Sequence, residues 1–402
     1  MNVLFLTIVG VDDISERGIY TDLLRFFRDK GHDVCIACPK ERRHKQKTTH
    51  VVSQGTRILG IKTLNIQKTN LIEKGIGTLM IERQFLSAIK KYFADVVFDL
   101  VIYSTPPITF TKIINYIKTR DGAKSYLLLK DIFPQNAIDL KMIKKDGLIH
   151  RYFSKKEKKL YQISDYIGCM SPANVNYLIT HNQIDPEKIE VNPNSLSPVK
   201  QVSDALAKKN IRKQYYIPDD AVVCIYGGNL GKPQGIDFLL TVLKYNRDRR
   251  DCFFVIVGNG TEYEKLSNWI TLERPKNILL LKGLPKLRYD DLLASCDVGM
   301  IFLDEKFTIP NFPSRLLSYL EFKKAVIAST DASTDLGEII VQNNFGKWNL
   351  TGDLTMFNEN LNFFVNNHIN RKIFGENGYR YMMENYQVKH SYNIIMKHFS
   401  DV

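Results

Sequence analysis

Short apolar runs alternate with helix-length amphipathic segments along the whole chain. Val3–Ile8 reads as a strand, and Gly18–Lys30 follows with apolar residues at helical spacing (Ile19, Leu23, Leu24, Phe26, Phe27). Gly31 then stands where a helix end favours glycine. Val34–Ala37, Leu100–Tyr103, Tyr126–Leu129 and Asp165–Met170 are the next predicted strands, the last of them closing this half. Two of them run into loops with polar residues or proline, Ser104–Pro107 and Lys130–Pro134. The pattern restarts at Ala221–Tyr226, a strand ending in Gly-Gly. A helix over Ile236–Asn246, a strand over Phe253–Val257 ending in Gly-Asn-Gly, and a helix over Thr261–Ile270 follow. Ile278–Leu281, Val298–Phe302 and Ala325–Ala328 are three more strands. Strands alternating with helices predict parallel, doubly wound α/β sheets, and two successive sets predict two Rossmann-like domains. The Pro-, Ser- and Asn-rich stretch Asn192–Ser203 is the expected linker. Ligands of such sheets bind at the carboxyl ends of the strands, which points to a cleft between the two domains.

The length, 402 residues, agrees with this division, because one hydrophobic core seldom serves so long a chain. Nothing approaches the roughly 20 apolar residues that span a bilayer. MNVLFLTIVG lacks the basic flank of a signal peptide and leads directly into a strand and loop. The six cysteines are scattered. Cys35 and Cys38 form a C-x-x-C within an expected strand, where residues three apart face opposite ways, so core cysteines in a reducing cytoplasm are expected.

Charge changes the picture more. The formal net charge is +13, and residues 1–200 hold 31 Lys and Arg against 20 Asp and Glu, while residues 201–402 hold 25 against 23. The densest stretch is Lys141–Lys159, which includes Lys141, Lys144, Lys145, Arg151, Lys155 and Lys156, interleaved with Ile143, Leu148, Ile149, Tyr152 and Phe153. An anionic membrane surface, a phosphorylated acceptor or nucleic acid would suit it, and so would a plain solvated helix face. The stretch lacks the stacking platform of a single-strand nucleic-acid groove, so no nucleic-acid partner is expected.

The strongest chemical signal is VVCIYGGNLGKPQGIDFLL, Val222–Leu240. Its glycines, Gly227, Gly228, Gly231 and Gly235, let backbone approach a ligand, the next helix begins near an anion-favouring N-terminus, and Lys232 adds a point charge. A second signal is NFPSRLLSYL, Asn311–Leu320, where Pro313 and Ser314 suit a helix start and place Arg315 in its first turn. Amides plus guanidinium suit a diphosphate. A third is the strand-end loop Val257–Thr261. A fourth is KDIFPQ, Lys130–Gln135, where Asp131 would face the cleft or cap a helix. The eight histidines form no H-E-x-x-H or similar cluster, and no G-x-S-x-G elbow occurs, so neither metal nor Ser-hydrolase chemistry is expected.

In number, order and spacing these motifs resemble the family 4 glycosyltransferases of the GT-B fold. They run from GHDV (Gly31–Val34) through Pro106-Pro107, KDIFP, MSPANVNYL (Met170–Leu178) and IEVNPN (Ile189–Asn194) to GGNLGKPQG (Gly227–Gly235). VIVGNG (Val255–Gly260), CDVGMIFL (Cys296–Leu303) and NFPSRLLSYLEFKKAVIAS (Asn311–Ser329) complete the series. Within the family the chain resembles bacterial O-antigen and capsule transferases of N-acetylfucosaminyl type. It departs from the family pattern at Asn229 and Gln234, where many members carry Arg and Lys, and at Pro310 and Ser318, where many carry two glutamates.

The resemblance implies a GT-B architecture: an acceptor domain over 1–198 joined by a C-terminal helix at about 386–402, and a nucleotide-sugar domain over 199–385. It implies a retaining hexosyl transfer without cofactor or metal, from a UDP-linked N-acetylated hexosamine or deoxyhexosamine to a polyprenyl-diphosphate-linked acceptor. The implied catalytic residues are Asp131, Lys232 and Arg315. The implied donor contacts are Gly18, Gly228, Asn229, Gly231, Gly258, Asn259, Gly260, Gly283, Leu284, Pro313, Ser314 and Leu317. The basic stretch would hold the enzyme on the inner face of a bacterial plasma membrane. Two alternatives fit the same fold. A sugar-nucleotide epimerase would want paired cleft carboxylates, which the sequence does not locate. A sugar-nucleotide-binding protein without activity would fit the missing glutamates.

Overall fold

The structure, a computed structural model, describes residues 1–66, 69, 71–199 and 205–399. It divides into two compact units, Met1–Ser197 with Val388–Val402, and Pro198–Gln387. Part of the expected linker, 200–203, lies outside the described residues.

Among the described residues, the first unit carries the strands β1 (Asn2–Leu6), β2 (Asp33–Glu41), β3 (Thr49–Ser53), β4 (Thr56–Thr63), β5 (Leu100–Ser104), β6 (Lys124–Leu129), β7 (Tyr166–Cys169) and β8 (Ile189–Val191). They form one sheet in the order β3-β4-β2-β1-β5-β6-β7-β8, parallel except for β3 against β4. Register explains the core. Val3 pairs with Val34 and Leu100, and Phe5 with Ile36 and Ile102, so these side chains share one face. They build a single buried cluster with Leu23, Leu24 and Phe27 of the helix Ile19–Asp29. The alternate residues Leu4 and Leu6 are equally buried on the other face. Burial on both faces is why these strands read as continuous apolar runs. The helix Val388–Met396 supplies Val388 and Ile395 to the same cluster, and its Tyr392 ring lies 4.8 Å from Phe27.

Two expectations for this unit need correction. Asp165–Met170 is not the last strand, because β8 follows and pairs with β7. The hairpin β3–β4 was not anticipated. Its tight turn uses Gln54 and Gly55, both at positive φ (47° and 79°), and its first strand exposes Val51 and Val52 instead of burying an alternating face. All six cysteines are free and buried. Burial pushes the thiols of Cys35 and Cys38 up to about 12 and about 11, so neither is poised for redox or metal chemistry.

Among the described residues, the second unit carries β9 (Val222–Asn229), β10 (Cys252–Asn259), β11 (Ile278–Leu281), β12 (Val298–Phe302), β13 (Ala325–Thr330) and the unanticipated β14 (Gly346–Leu350). All run parallel in the order β11-β10-β9-β12-β13-β14. This is the doubly wound order in which the chain reverses direction beside its first strand, so the switch point lies between β9 and β12. The core beneath it includes Tyr226, Leu239, Val242, Phe254, Phe302 and Phe357.

Candidate functional site

In the second unit, the expected glycine loop and Arg315 meet at that switch point. The loop leaves β9 at Gly228 and Asn229, passes Gly231 and forms a 3-10 turn over Lys232–Gln234. Gly235, at φ +54°, then turns the chain into the helix Ile236–Tyr245. Lys232 is exposed. The loop from β12 reaches Pro313 and Ser314 and enters the helix Arg315–Glu321. Ser314 makes no side-chain capping bond there, so the expected helix-start cap is not formed.

Arg315 is held on several sides. Its Nη2 donates to the Gln234 side-chain oxygen, and its guanidinium lies 4.2 Å from the centre of the Tyr226 ring. A β-carbon at Gly228 would come within 3.4 Å of Nη2. Its Nη1 is buried without a hydrogen-bond partner. A lone buried guanidinium N–H is costly. It is therefore a donor waiting for an acceptor, and an anion is the natural one.

Tyrosines build the floor under this arginine. Tyr319 accepts a hydrogen bond from the Gly227 N–H at 3.1 Å, and its own hydroxyl faces the Ile225 and Met300 carbonyls at 3.2 and 3.1 Å. A β-carbon at Gly227 would meet the Tyr289 hydroxyl at 2.1 Å, and one at Gly299 would meet the Tyr319 ring at 2.4 Å. The two glycines are thus the room these tyrosines occupy. Burial pushes the phenols of Tyr226, Tyr289 and Tyr319 up, so they stay neutral.

The neighbouring expected donor residues form the adjoining wall. Leu230 N–H donates to the Asn259 carbonyl at 2.9 Å, and Glu262 N–H to the Leu230 carbonyl at 2.9 Å. A β-carbon at Gly258 would lie 1.8 Å from the Gly228 carbonyl oxygen. The ends of β9 and β10 can therefore close together only as glycine. Gly260 faces the Leu230 backbone in the same manner, and Gly283 faces the Asn259 amide. Asn259 and Gly283 are exposed, and Leu284 is half-buried. Leu317 is buried in the core. Gly18 belongs to the first unit, where it precedes the helix Ile19–Asp29 and donates its N–H to Asp22 at 3.2 Å.

In the first unit, Asp131 follows β6 directly. The Thr105 hydroxyl oxygen accepts from the Lys130 and Asp131 backbone N–H groups at 3.0 and 3.2 Å. The Asn136 amide donates to the Asp131 carboxylate at 2.8 Å. Burial pushes that carboxyl up to about 6 against the Asn136 bond. Burial likewise brings the amine of Lys130, which donates to the Asn192 carbonyl at 3.3 Å, down to about 7. The strand end thus holds two groups that titrate near neutrality.

The basic stretch spans a loop and a helix. Lys141, Lys144 and Lys145 are exposed ahead of the helix Leu148–Ile163, which exposes Arg151 and Lys155, while Lys156 is half-buried. Among these cations Met142, Leu148 and Ile149 are 56%, 85% and 61% exposed. Lys156 pairs with Glu82 at 3.8 Å. Glu82 sits on the helix Leu71–Tyr92, which exposes Ile76, Leu79 and Met80. A plain solvated helix face would not carry so much bare apolar surface.

The family model for "Glycosyl transferases group 1" matches residues 207–381, nearly the whole of the second unit. The second unit therefore resembles the group 1 glycosyl transferases. Over 70% of its length the chain is 21% identical to a protein of Pseudomonas aeruginosa named as a glycosyltransferase, WbjE, covering 69% of that relative. Over 60% it is 21% identical to WcaI of Escherichia coli K12, named as a colanic acid biosynthesis glycosyl transferase, again covering 60%. Among solved structures, the Anabaena protein Alr3699/HepE, seen with UDP and with UDP-glucose, superposes over the full length of both chains with a TM-score of 0.70 at 13% identity. That likeness shows a GT-B fold.

Tyr226, Gln234, Tyr289, Tyr319 and Lys130 were not among the expected site residues. Tyr319 stands one helical turn after Arg315, which is the one sequence signal that could have singled it out.

Proposed function

We propose that this protein is a glycosyl transferase that takes a sugar from a nucleoside-diphosphate donor, UDP-linked, and passes it with retention to a polyprenyl-diphosphate-linked acceptor in bacterial surface-polysaccharide assembly. The observation that carries the reading is Arg315: a permanent cation with an unpartnered buried N–H, set beside a glycine loop at the strand-order switch. HepE with UDP and UDP-glucose, and WcaI by its name, support the donor class and the polysaccharide setting.

In this reading the diphosphate lies between Gly227–Lys232 and Arg315, and Val257–Gly260 with Gly283–Leu287 take base and ribose. As the anomeric C–O bond breaks, charge grows on the leaving diphosphate. Arg315 and Lys232 meet that charge, each such preorganised donor being worth about 3 kcal/mol. They supply the positive charge, and no metal is invoked. The leaving phosphate takes the acceptor proton on the same face, and Asp131 orients the acceptor hydroxyl. The sugar is an N-acetylated hexosamine or deoxyhexosamine. The exposed cations and apolar side chains of 141–156 hold the protein against an anionic membrane, where a lipid-linked acceptor is presented. No helix among the described residues is long and apolar enough to cross one.

A thermal-shift panel of UDP-, GDP- and dTDP-sugars tests the donor reading. Ligands of the folded state raise the melting temperature with their affinity. The UDP-sugars should shift it most. No shift with any of the three classes would overturn the proposal.

A further inference from the structure

An arginine side chain has four rotatable bonds, so its placement must come from its surroundings. At Arg315 those surroundings are themselves fixed. The Tyr226 ring beneath the guanidinium is anchored by its hydroxyl, which donates to the Asn229 carbonyl at 2.6 Å. Gln234, which accepts from Nη2, sits in the 3-10 turn Lys232–Gln234. Its N–H donates to the Gly231 carbonyl at 3.0 Å, and the turn is tied to the end of β12 by the Asp304 N–H, which donates to the Pro233 carbonyl at 3.1 Å. One edge of the guanidinium is therefore occupied and its face is stacked. Nη1 is left buried and without a partner.

The chemistry of position 234 matters for what Nη1 can do. A carboxylate there would neutralise the arginine and compete with an anionic ligand. A lysine there would repel it. A neutral amide oxygen accepts the hydrogen bond and leaves the full positive charge for something else. We propose that Gln234 is a positioning residue for the donor: it clamps Nη2 so that Nη1 is presented, fully charged, to a diphosphate oxygen. This rests on the donor reading above, because the anion is the donor's diphosphate.

The test is a double-mutant cycle on the whole chain, read by calorimetric titration with UDP and, separately, with uridine, which has the base and ribose but no phosphate. Gln234→Met keeps the length of the side chain and removes the acceptor. It should weaken UDP binding about tenfold, the scale of a hydrogen bond to a charged group, and leave uridine binding unchanged. In an Arg315→Ala background the same substitution should add nothing. Gln234→Glu should also weaken UDP, and the remaining binding should depend less steeply on salt. Equal losses for UDP and uridine, or an undiminished Gln234→Met effect without Arg315, would overturn the proposal while leaving the donor reading intact. If the unmodified protein binds neither UDP, GDP nor dTDP, the donor reading falls, and the role of Gln234 falls with it.

Discussion

The two units carry sheets of the same winding, yet their strand ends are furnished differently. In the second unit the ends of β9 and β10 are almost bare backbone, closed so tightly that Gly258 has no room for a methyl beside the Gly228 carbonyl. Its charge at the switch point, Arg315, does not titrate in any ordinary pH range. In the first unit the end of β6 carries side chains, Lys130 and Asp131, and burial has moved both toward neutrality, to about 7 and about 6. The excess positive charge of the chain also sits in the first half. In the proposed function one unit would grip a fixed anion, and the other would offer groups that gain or lose a proton and a basic, apolar surface for an anionic membrane. That contrast would suit the proposed transfer, because a leaving diphosphate wants constant charge and an acceptor hydroxyl wants a tunable partner.

The contrast can be broken at four points, in descending order of effect. Gly258→Ala forces a methyl into the Gly228 backbone, and a backbone shift of that kind should cost about 3 kcal/mol or more of stability; chemical denaturation checks it, and a loss under about 1 kcal/mol would show the strand ends to be slack. Arg315→Ala should leave the fold intact and lower affinity for a nucleoside diphosphate by roughly 30- to 100-fold, with uridine unaffected. Equal loss of both ligands would make Arg315 structural. Replacing Lys144 and Lys145 together by Gln should weaken sedimentation with anionic vesicles by about 2 kcal/mol, or roughly 30-fold, at low salt, and much less at high salt. Vesicle binding that ignores both the substitution and salt would place the adhesive surface elsewhere.

Asp131→Asn is the subtlest. The carboxyl is raised in the folded state from 3.8 to about 6, so between those values the folded chain holds a proton that the unfolded chain has released. The stability this confers is complete below the lower value and is lost as pH rises through about 6. The amide has nothing to ionise. Asp131→Asn should therefore stabilise the protein by at most about 3 kcal/mol at pH 7 and by very little at pH 4, while lowering transfer. A stabilisation independent of pH would mean that Asp131 does not titrate as its burial implies.

Much of the fold was legible because burial on both faces of a parallel sheet leaves an unmistakable trace. Val3–Ile8, broken only by Thr7, and Leu100–Tyr103 and Val298–Phe302 are nearly continuous apolar runs, and β1, β5 and β12 lie within one residue of them or inside them. The hairpin β3–β4 was not legible, because an edge pair with exposed Val51 and Val52 shows neither the continuous run nor the clean alternation. Strand β8, three residues long, is too short to leave a period. Of the second-unit site, the glycine loop and Arg315 could be read from local chemistry. Of the tyrosine floor, only Tyr319, one helical turn after Arg315, left any local signal. Tyr289 and Tyr319 meet the site only because Gly227 and Gly299, 62 and 20 residues before them in the chain, leave them space.

The sequence alone determined which residues could be buried, which loops could approach an anion and where the positive charge would concentrate. Those properties belong to single residues and their near neighbours. Tertiary structure decided which of them act together. It laid Arg315 on Tyr226, turned Gln234 toward its guanidinium and left one N–H without a partner. It also half-buried Lys130 and Asp131 at one strand end, where desolvation shifts them in opposite directions. Hydrogen-bond partnership and desolvation depend on distances between residues far apart in the chain, and only folding sets those distances.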